Sequence, residues 1–215
     1  MRLYLASTSP ARLATLRAAG VEPAGLISPG VDEDAVVEQL AAERGAPLTA
    51  AEMVLELARA KAEAVVGELV DGAPIDGFIF GGDSAFELDG ITYGKPHTAE
   101  IAQERWRAMI GNTGVLHSGH WVIDHRGGML RGGIGGVEDA VVEFASDVDE
   151  TELAAYIASG EPLAVAGAFT IDSRGQAFIR RIEGNPSTVI GLSIPLLRRL
   201  LHDGFGVRWH ELWNR

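Results

Sequence analysis

Hydrophobic and polar positions alternate between strand-like runs and helix-like spacings from the first residues onward. The apolar run at residues 3–6 predicts a short strand, which leads into the sequence STSP. Ser9 suits a helix N-cap, Pro10 the first helical position, and Gly20 the end of that helix. Arg12 falls in the first turn. Hydroxyl groups, helix N–H groups and a guanidinium therefore gather at one point, which favours an anion-binding turn.

The next segment predicts a second strand near 25–28, an acidic turn and a long helix. The turn contains the sequence DED at residues 32–34. The helix begins after Thr49, where Glu52 completes a capping box. Lys61 falls within the apolar stripe of this helix. That position fits either a lysine whose stem covers the rim of the core, or an ammonium directed into a cleft.

The sequence GFIFGGDSAFELDGITYGKPH predicts a buried strand followed by a hairpin. Phe78–Phe80 is the strand, and Gly81-Gly82 is expected to turn the backbone tightly before Asp83. Asp89-Gly90 is a strong hairpin-turn signal. This hairpin is expected to bring Lys95 back toward Asp83, at the strand end where α/β proteins commonly bind ligands.

The remaining pattern mixes helices with strands and hairpins. A mixed, twisted sheet flanked by helices, an α/β fold in a single domain covering residues 1–215, is therefore expected. The predicted elements are a helix over Thr98–Ile110, strands within Val115–Phe144 with GGIGG (132–136) as a hairpin tip, a helix over Thr151–Ala158, strands at Ala168–Ile171 and Ala177–Ile182, and a final helix after GNPSTVIGLSIP.

Composition and charge narrow the class of ligand. The 215 residues carry a net charge of −12, so no broad basic field exists to attract nucleic acid. No apolar run is long enough for a membrane helix, and the absence of cysteine favours a reducing cytoplasm. Of the 18 cationic residues, only Lys61 and Lys95 are lysines. An anionic ligand must therefore be bound by a local cluster, which favours a small substrate with a bound cation.

Several side chains have both a structural and a chemical interpretation. Glu33 and its acidic neighbours fit either a solvated turn or the oxygen ligands of magnesium. Asp83 fits either a residue that caps a turn or a carboxylate that belongs to a ligand-binding site. His117 and His120 are expected on opposite faces of a strand, which argues against a histidine metal site. The sequence contains no Walker motif and no nucleophile elbow.

Taken in order, the motifs resemble those of the Maf family, nucleoside triphosphate pyrophosphatases that are also called septum formation proteins. The resemblance spans Leu3 to Leu201, most of the chain, and rests on several separate motifs in the family's order. These are LASxSPxR, VDE, AxAKA, GxDS, GKP, AGAF and IEGxxxxVIGL.

The resemblance implies a two-lobed α/β fold with a central cleft, related to inosine triphosphatase, that hydrolyses the bond between the α- and β-phosphates of nucleotides. It implies a divalent cation, magnesium or manganese, held by Glu33 and Asp83. Asp83 is also the implied proton acceptor, and a homodimer is suggested. The residues implied to bind phosphate are Ser7, Ser9, Arg12, Lys61 and Lys95.

The chain departs from the family pattern in several places. Ala11 replaces one arginine of the opening motif, and the usual DKAGAY reads AVAGAF at 164–169, where Ala164 and Val165 replace the acid and the lysine. Asp172 stands where pyrimidine-specific members have glutamine, and it is a base-pocket candidate. An ionised carboxylate only accepts hydrogen bonds, whereas an amide also donates, so the base preference stays open. These departures also leave open a non-catalytic, nucleotide-binding regulator of cell division.

Overall fold

A computed structural model describes residues 1–214, which form seven α-helices, nine β-strands and short 3₁₀ turns. The helices are α1 (Pro10–Ala18), α2 (Glu33–Arg44), α3 (Ala50–Ala64), α4 (Ala99–Met109), α5 (Glu150–Ala158), α6 (Pro186–Ile190) and α7 (Ile194–Phe205). The strands are β1 (Leu3–Ala6), β2 (Gly25–Leu26), β3 (Leu69–Val70), β4 (Ala73–Pro74), β5 (Phe78–Leu88), β6 (Ile91–Tyr93), β7 (Thr113–Asp124), β8 (Gly132–Phe144) and β9 (Ile179–Glu183). No helix within this part of the chain is long and apolar enough to cross a bilayer.

Seven of the strands form one mixed sheet in the order β2-β1-β5-β7-β8-β9, with β6 also paired to β5. The pairs β2–β1 and β1–β5 are parallel, and the pairs from β5 through β9 are antiparallel. The helices flank this sheet. The predicted fold class, an α/β fold with a mixed sheet, is confirmed.

Local capping signals placed the starts of α1 and α3 correctly. The Ser9 hydroxyl accepts a hydrogen bond from the Arg12 backbone N–H, and Thr49 forms the predicted capping box with Glu52. The acidic turn was wrong in part, because Asp32 is itself an N-cap and Glu33 begins α2. Since α2 has no buried residue, it shows no apolar stripe that would have revealed it.

The predicted turn at Gly81-Gly82 was wrong, because β5 continues through both glycines to Leu88. The hairpin at Asp89-Gly90 is confirmed, and Asp83 lies in the middle of β5 rather than at its end. The Gly81 position is needed for helix packing. A Cβ built there would lie 2.2 Å from the Ala58 carbonyl oxygen of α3.

Two further local predictions were wrong. The GGIGG segment lies in β8, paired with β7, and the hairpin loop comes before it. A Cβ on Gly135 would lie 2.2 Å from the Trp121 ring, so these glycines make room for an indole. The strand predicted at Ala168–Ile171 is absent from residues 1–214, where 3₁₀ turns precede Phe169.

Three hydrophobic clusters are buried against the sheet; one packs β1 and β5 against α3, and the other two lie at opposite ends of the long strands. One contains Phe78 and Phe80 of β5 and packs on α1 and α7. The other contains Phe86 of the same strand together with Trp106 of α4 and Tyr156 of α5. The residues of β5 between Phe80 and Phe86 therefore connect two lobes, and their side chains are small or polar.

Candidate functional site

The middle of β5 has an open edge between the two lobes. On one side of this strand, β1 pairs with Phe78–Gly81 and β6 pairs with Phe86–Leu88. Residues 82–85 therefore have a paired strand only on the β7 side within residues 1–214. Ser7 follows the end of β1, and Lys95 follows the end of β6, so both approach this gap from opposite directions.

Lys61, Asp83 and Glu33 form a partly buried charged cluster at the gap. The Lys61 ammonium lies 2.5 Å from Asp83 Oδ1 and 2.7 Å from Glu33 Oε1. Lys61 comes from α3 and Glu33 from the first turn of α2, so two helices and the sheet meet here. The side chains of Lys61 and Asp83 are only 9% and 12% exposed, whereas Glu33 is 51% exposed. The structure therefore places Lys61 as an ammonium at the gap, rather than as a surface lysine covering the core.

Burial and neighbouring cations act in opposite directions on Asp83. Burial raises the pKa of this carboxyl above its ordinary value, and the nearby Lys61 and Arg12 charges oppose that rise. Burial likewise lowers the pKa of Arg12, whereas the nearby charges of Asp83 and Glu33 raise it. The guanidinium still remains a cation, because its ordinary pKa lies far above neutrality.

Arg12 joins three segments of the chain on the face of β5 that is opposite to Lys61. Its Nε donates to the Gly191 carbonyl at 2.8 Å, and its two terminal nitrogens donate to the hydroxyls of Ser7 and Ser84 at 3.2 Å each. A Cβ on Gly82 would lie 3.2 Å from Arg12 Nε, so this glycine lets the guanidinium approach the strand. The planar fork of donors is thus fixed in orientation at the gap.

A buried network of hydrogen bonds lies next to Arg12 on this face of β5, and most of its residues carry no signal in the sequence. The Ser84 and Ser118 hydroxyls lie 3.0 Å apart, and Ser118 donates to the Thr188 carbonyl at 2.9 Å. His120 Nε2 accepts from the Ser193 N–H at the start of α7. Burial lowers the pKa of His120 to about 3, so the ring is neutral. The only signal for this network was Ser84 within GxDS, because its partners are set by the register of β5 and β7.

The structure does not bring every predicted residue into the cluster. The side chain of Lys95 is exposed and forms no ion pair with a residue of the described chain. Its backbone is held by Arg105, which donates to the Gly94 carbonyl at 2.6 Å. Ser9 caps α1 at the edge of the gap. Asp172 is exposed, accepts a hydrogen bond from the Thr170 hydroxyl and forms no ion pair with Lys61.

The carboxylate oxygens at the gap suit a divalent cation only when a bound ligand supplies further oxygen atoms. Within residues 1–214 no three His, Asp or Glu side chains are grouped as a metal site. Glu33 and Asp83 each use one oxygen on Lys61, which leaves a second carboxylate oxygen on each. Magnesium is commonly held by one or two carboxylates plus substrate phosphates, so these two residues fit that pattern. The two histidines His117 and His120 lie apart, as expected.

The cluster and the neighbouring Arg12–Gly191 contact assemble residues from five of the seven motifs named above, and comparisons with known proteins identify the family. The family model described as "Maf-like protein" matches residues 2–204. A nucleoside triphosphate pyrophosphatase of Leifsonia xyli subsp. xyli is 62% identical, with 100% of this chain and 98% of the relative covered. Proteins with the same name from Rhodococcus opacus and Streptomyces coelicolor are each 50% identical; the matches cover 97% and 99% of this chain, respectively, and 94% of each relative. The chain therefore belongs to the Maf family.

Proposed function

We propose that this chain is a nucleoside triphosphate pyrophosphatase that hydrolyses a nucleotide to its monophosphate and pyrophosphate. The observation that carries the proposal is the contact of one buried ammonium with two carboxylates, beside a fixed guanidinium, at an open strand edge. The names of the relatives at 62% and 50% identity support the same activity.

The cations at the gap retain donors for phosphate oxygens. An ammonium has three N–H donors, and two of those on Lys61 are directed at Asp83 and Glu33. A guanidinium has five, and three of those on Arg12 are directed at Gly191, Ser7 and Ser84. The remaining donors, together with the Ser7 and Ser9 turn, would bind the triphosphate. Electrostatic stabilisation of this kind supplies most of the rate enhancement in phosphoryl transfer. Lys95 would join them from the other side of the gap only when a ligand is bound.

Asp83 is the residue best placed to orient and deprotonate the attacking water. Its buried carboxylate has a raised pKa, which makes it a stronger base than an exposed aspartate. In the reaction the water oxygen bonds to phosphorus, Asp83 accepts a water proton, and the bridging bond between the α- and β-phosphates breaks. Pyrophosphate and the monophosphate then leave.

Glu33 and Asp83 would hold the divalent cation, magnesium or manganese, through the carboxylate oxygens that Lys61 does not contact. When bound, the cation supplies charge neutralisation and a template for the phosphates. Lys61 would keep the two carboxylates close together before the substrate arrives, and it would limit their mutual repulsion.

The test measures pyrophosphate release from UTP, dTTP, CTP, ITP and methylated nucleotides with Mg²⁺ or Mn²⁺. We expect turnover of at least one nucleotide, with a pyrimidine or modified nucleotide preferred. Asp83→Asn should lower kcat by about 10²–10⁴-fold, because it removes the base. Asp124→Asn is the matched control, since Asp124 is also a buried carboxylate but pairs with Arg126 at the far end of β7.

The outcome also separates the alternative function. Nucleotide binding without pyrophosphate release across the whole panel would contradict the proposal and favour a non-catalytic regulator. Full activity in Asp83→Asn would remove Asp83 from the role of base. Asp172→Gln, assayed with the same panel, tests whether the exposed Asp172 affects the choice of base.

A further inference from the structure

A concave surface at the end of the described chain combines cationic and aromatic side chains. This C-terminal pocket has a volume of about 420 Å³ and lies between α7 and the 3₁₀ turn Trp209–Leu212. Its volume falls within the range of small-molecule sites, roughly 300–1,000 Å³. It is lined by Arg198, His202, Arg208, Trp209, His210 and Trp213.

The charge of the C-terminal pocket opposes that of the whole protein, which is −12. Most arginines of the described chain are paired with carboxylates, as Arg199 is with Glu138 at 2.7 Å. Arg198 and Arg208 form no such pair with any residue of 1–214. Two guanidinium groups therefore line one small cavity without a carboxylate partner in the described chain.

The two nearest acidic residues in the sequence already have partners. Asp203 Oδ1 lies 2.7 Å from His202 Nδ1, and Glu211 accepts a hydrogen bond from the Arg208 backbone N–H at 2.8 Å. Neither carboxylate is among the residues that line the pocket. The guanidinium groups of Arg198 and Arg208 are thus suited to an external anion, which they bind with planar, multiple N–H donors.

The aromatic side chains give the C-terminal pocket an affinity for flat rings. Trp213 is 53% exposed, and its indole also packs against Gly20, where a Cβ would lie 3.3 Å from the indole. His210 meets this indole edge-on, with ring centroids 6.3 Å apart. An indole that is supported on one side and open elsewhere can stack on a planar heteroaromatic ring.

The C-terminal pocket is held in place by contacts outside it. The Asn214 N–H donates to the Gly20 carbonyl at 3.0 Å, and the amino terminus of Met1 donates to the Glu211 carbonyl at 2.9 Å. These bonds fix the turn against the start of the chain, so little conformational entropy is lost when a ligand binds.

We propose that the C-terminal pocket binds a small planar heteroaromatic molecule that carries a phosphate, such as a nucleoside monophosphate. Four of its six lining residues lie beyond residue 204, where the match to the Maf family ends. None of the six lining residues forms an ion pair or hydrogen bond with Lys61, Asp83 or Arg12, so the site is separate from the Lys61–Asp83 cluster, and the proposal does not rest on the proposed function. A small ligand is favoured over a nucleic acid strand, because the net charge of −12 repels a long polyanion.

The test follows the indole N–H signals of the full-length protein by NMR during titration with AMP. Trp209→Phe and Trp213→Phe assign the two signals from the pocket, so binding at the Lys61–Asp83 cluster is distinguished from binding here. Adenosine and inorganic phosphate are titrated separately. We expect AMP to shift both signals with at least tenfold higher affinity than adenosine or phosphate alone, because the ring and the anion are bound together.

The double variant Arg198→Gln/Arg208→Gln should lose at least tenfold in AMP affinity at these two indoles while keeping its turnover of nucleotides. Arg199→Gln is the matched control, since Arg199 lies on the same helix but is paired with Glu138. Unshifted signals at 5 mM AMP would overturn the proposal. Equal shifts with phosphate alone, undiminished affinity in the double variant, or tighter binding of a ten-residue oligonucleotide than of AMP would also overturn it.

Discussion

At the scale of single residues, Lys61 and Asp83 depend on each other unequally. Lys61 also contacts Glu33, whereas the Asp83 carboxylate has Lys61 as its one hydrogen-bonded partner among residues 1–214. Removing one member of a buried ion pair leaves the other charge buried and uncompensated, at a cost of about 3–5 kcal/mol. The loss should therefore be larger when the lysine is removed than when the aspartate is removed.

We expect Lys61→Met to lower the free energy of unfolding by about 3 kcal/mol at pH 7.5, and Asp83→Asn to lower it by less. Without the ammonium, the pKa of Asp83 rises further above that of the unfolded chain. A carboxyl with a raised pKa favours the fold at low pH and loses that contribution as pH increases. The deficit of Lys61→Met should therefore shrink between pH 7.5 and pH 5. Urea unfolding at both pH values measures this deficit. The double variant Lys61→Met/Asp83→Asn should recover most of the lost free energy of unfolding. A deficit independent of pH would contradict this account.

His120 makes the fold sensitive to acid. Its pKa is about 3 in the folded protein, because the ring is buried and lies near the Arg12 charge, which together outweigh the hydrogen bond to the Ser118 carbonyl. The unfolded chain binds a proton near pH 6.5, so stability is lost as pH falls from that value toward 3. At pH 5 this one residue should cost about 2 kcal/mol, since one pKa unit corresponds to about 1.4 kcal/mol.

The variant His120→Gln tests whether His120 causes this acid sensitivity. The glutamine side-chain oxygen can still accept the Ser193 N–H, but it does not titrate. We expect this variant to lose about 2 kcal/mol less than the unmodified protein between pH 7.5 and pH 5, measured by urea unfolding. His202→Gln is the control, since His202 is exposed on α7. Identical pH dependence in the unmodified protein and His120→Gln would show that another group is responsible.

At the scale of elements, the packing of α3 on the sheet sets the position of Lys61. The closest approaches occur at two glycines, where a built Cβ would lie 2.2 Å from the carbonyl oxygen of Ala58 at Gly81 and of Val54 at Gly119. Both clashes are with helix backbone, which cannot rotate away as a side chain could. A methyl group at either glycine must therefore push α3 from the sheet.

Gly81→Ala should destabilise the protein by about 1–3 kcal/mol, the usual cost of overpacking. It should also lower kcat/KM, because α3 carries Lys61. Thermal unfolding and pyrophosphate release measure the two effects. Gly94→Ala is the matched control for stability, since a Cβ there meets no atom within 4 Å. An unchanged melting temperature in Gly81→Ala would contradict the packing seen at α3.

The sequence predicts elements whose signals are local and fails where long-range packing decides. The Thr49 capping box and the Asp89-Gly90 turn were correct, because their contacts lie within three residues. Gly81-Gly82 predicts a turn because glycine allows tight backbone turning, whereas Gly81 makes room for the distant helix α3 and Gly82 for the Arg12 guanidinium. The exposed α2 gave no periodic signal at all.

The candidate site shows the same division. Arg12, Lys61 and Asp83 could be named from their motifs, and the structure brings them together. Ser118 could not be named, because it meets Ser84 only through the register of β5 and β7. Lys95 was also named from its motif, but its side chain is exposed and forms no ion pair within residues 1–214, so it does not join the cluster.

At the scale of the whole molecule, the site lies at the stretch of β5 between Phe80 and Phe86, which runs between the hydrophobic clusters at the two ends of the long strands. Arg12 extends this connection, because it joins the β1–α1 turn to Gly191 between α6 and α7. A triphosphate bound at the gap would contact segments from several parts of the chain at once. Its binding energy should therefore appear as stability of the whole protein rather than of one element.

We expect a nucleotide whose α–β bridging oxygen is replaced by methylene to raise the melting temperature in the presence of Mg²⁺. At a concentration 100 times its Kd, the gain is about 2.7 kcal/mol, which corresponds to roughly 5–10 °C for a chain of this size. The measurement uses the Arg198→Gln/Arg208→Gln variant, so that binding at the C-terminal pocket does not contribute. Arg12→Lys should reduce the gain, because an ammonium cannot reach Ser7, Ser84 and Gly191 with the geometry of a guanidinium. The parent nucleoside should give no comparable shift, since the gap binds phosphate; equal stabilisation by the nucleoside would mean that the cations of the gap do not hold the ligand.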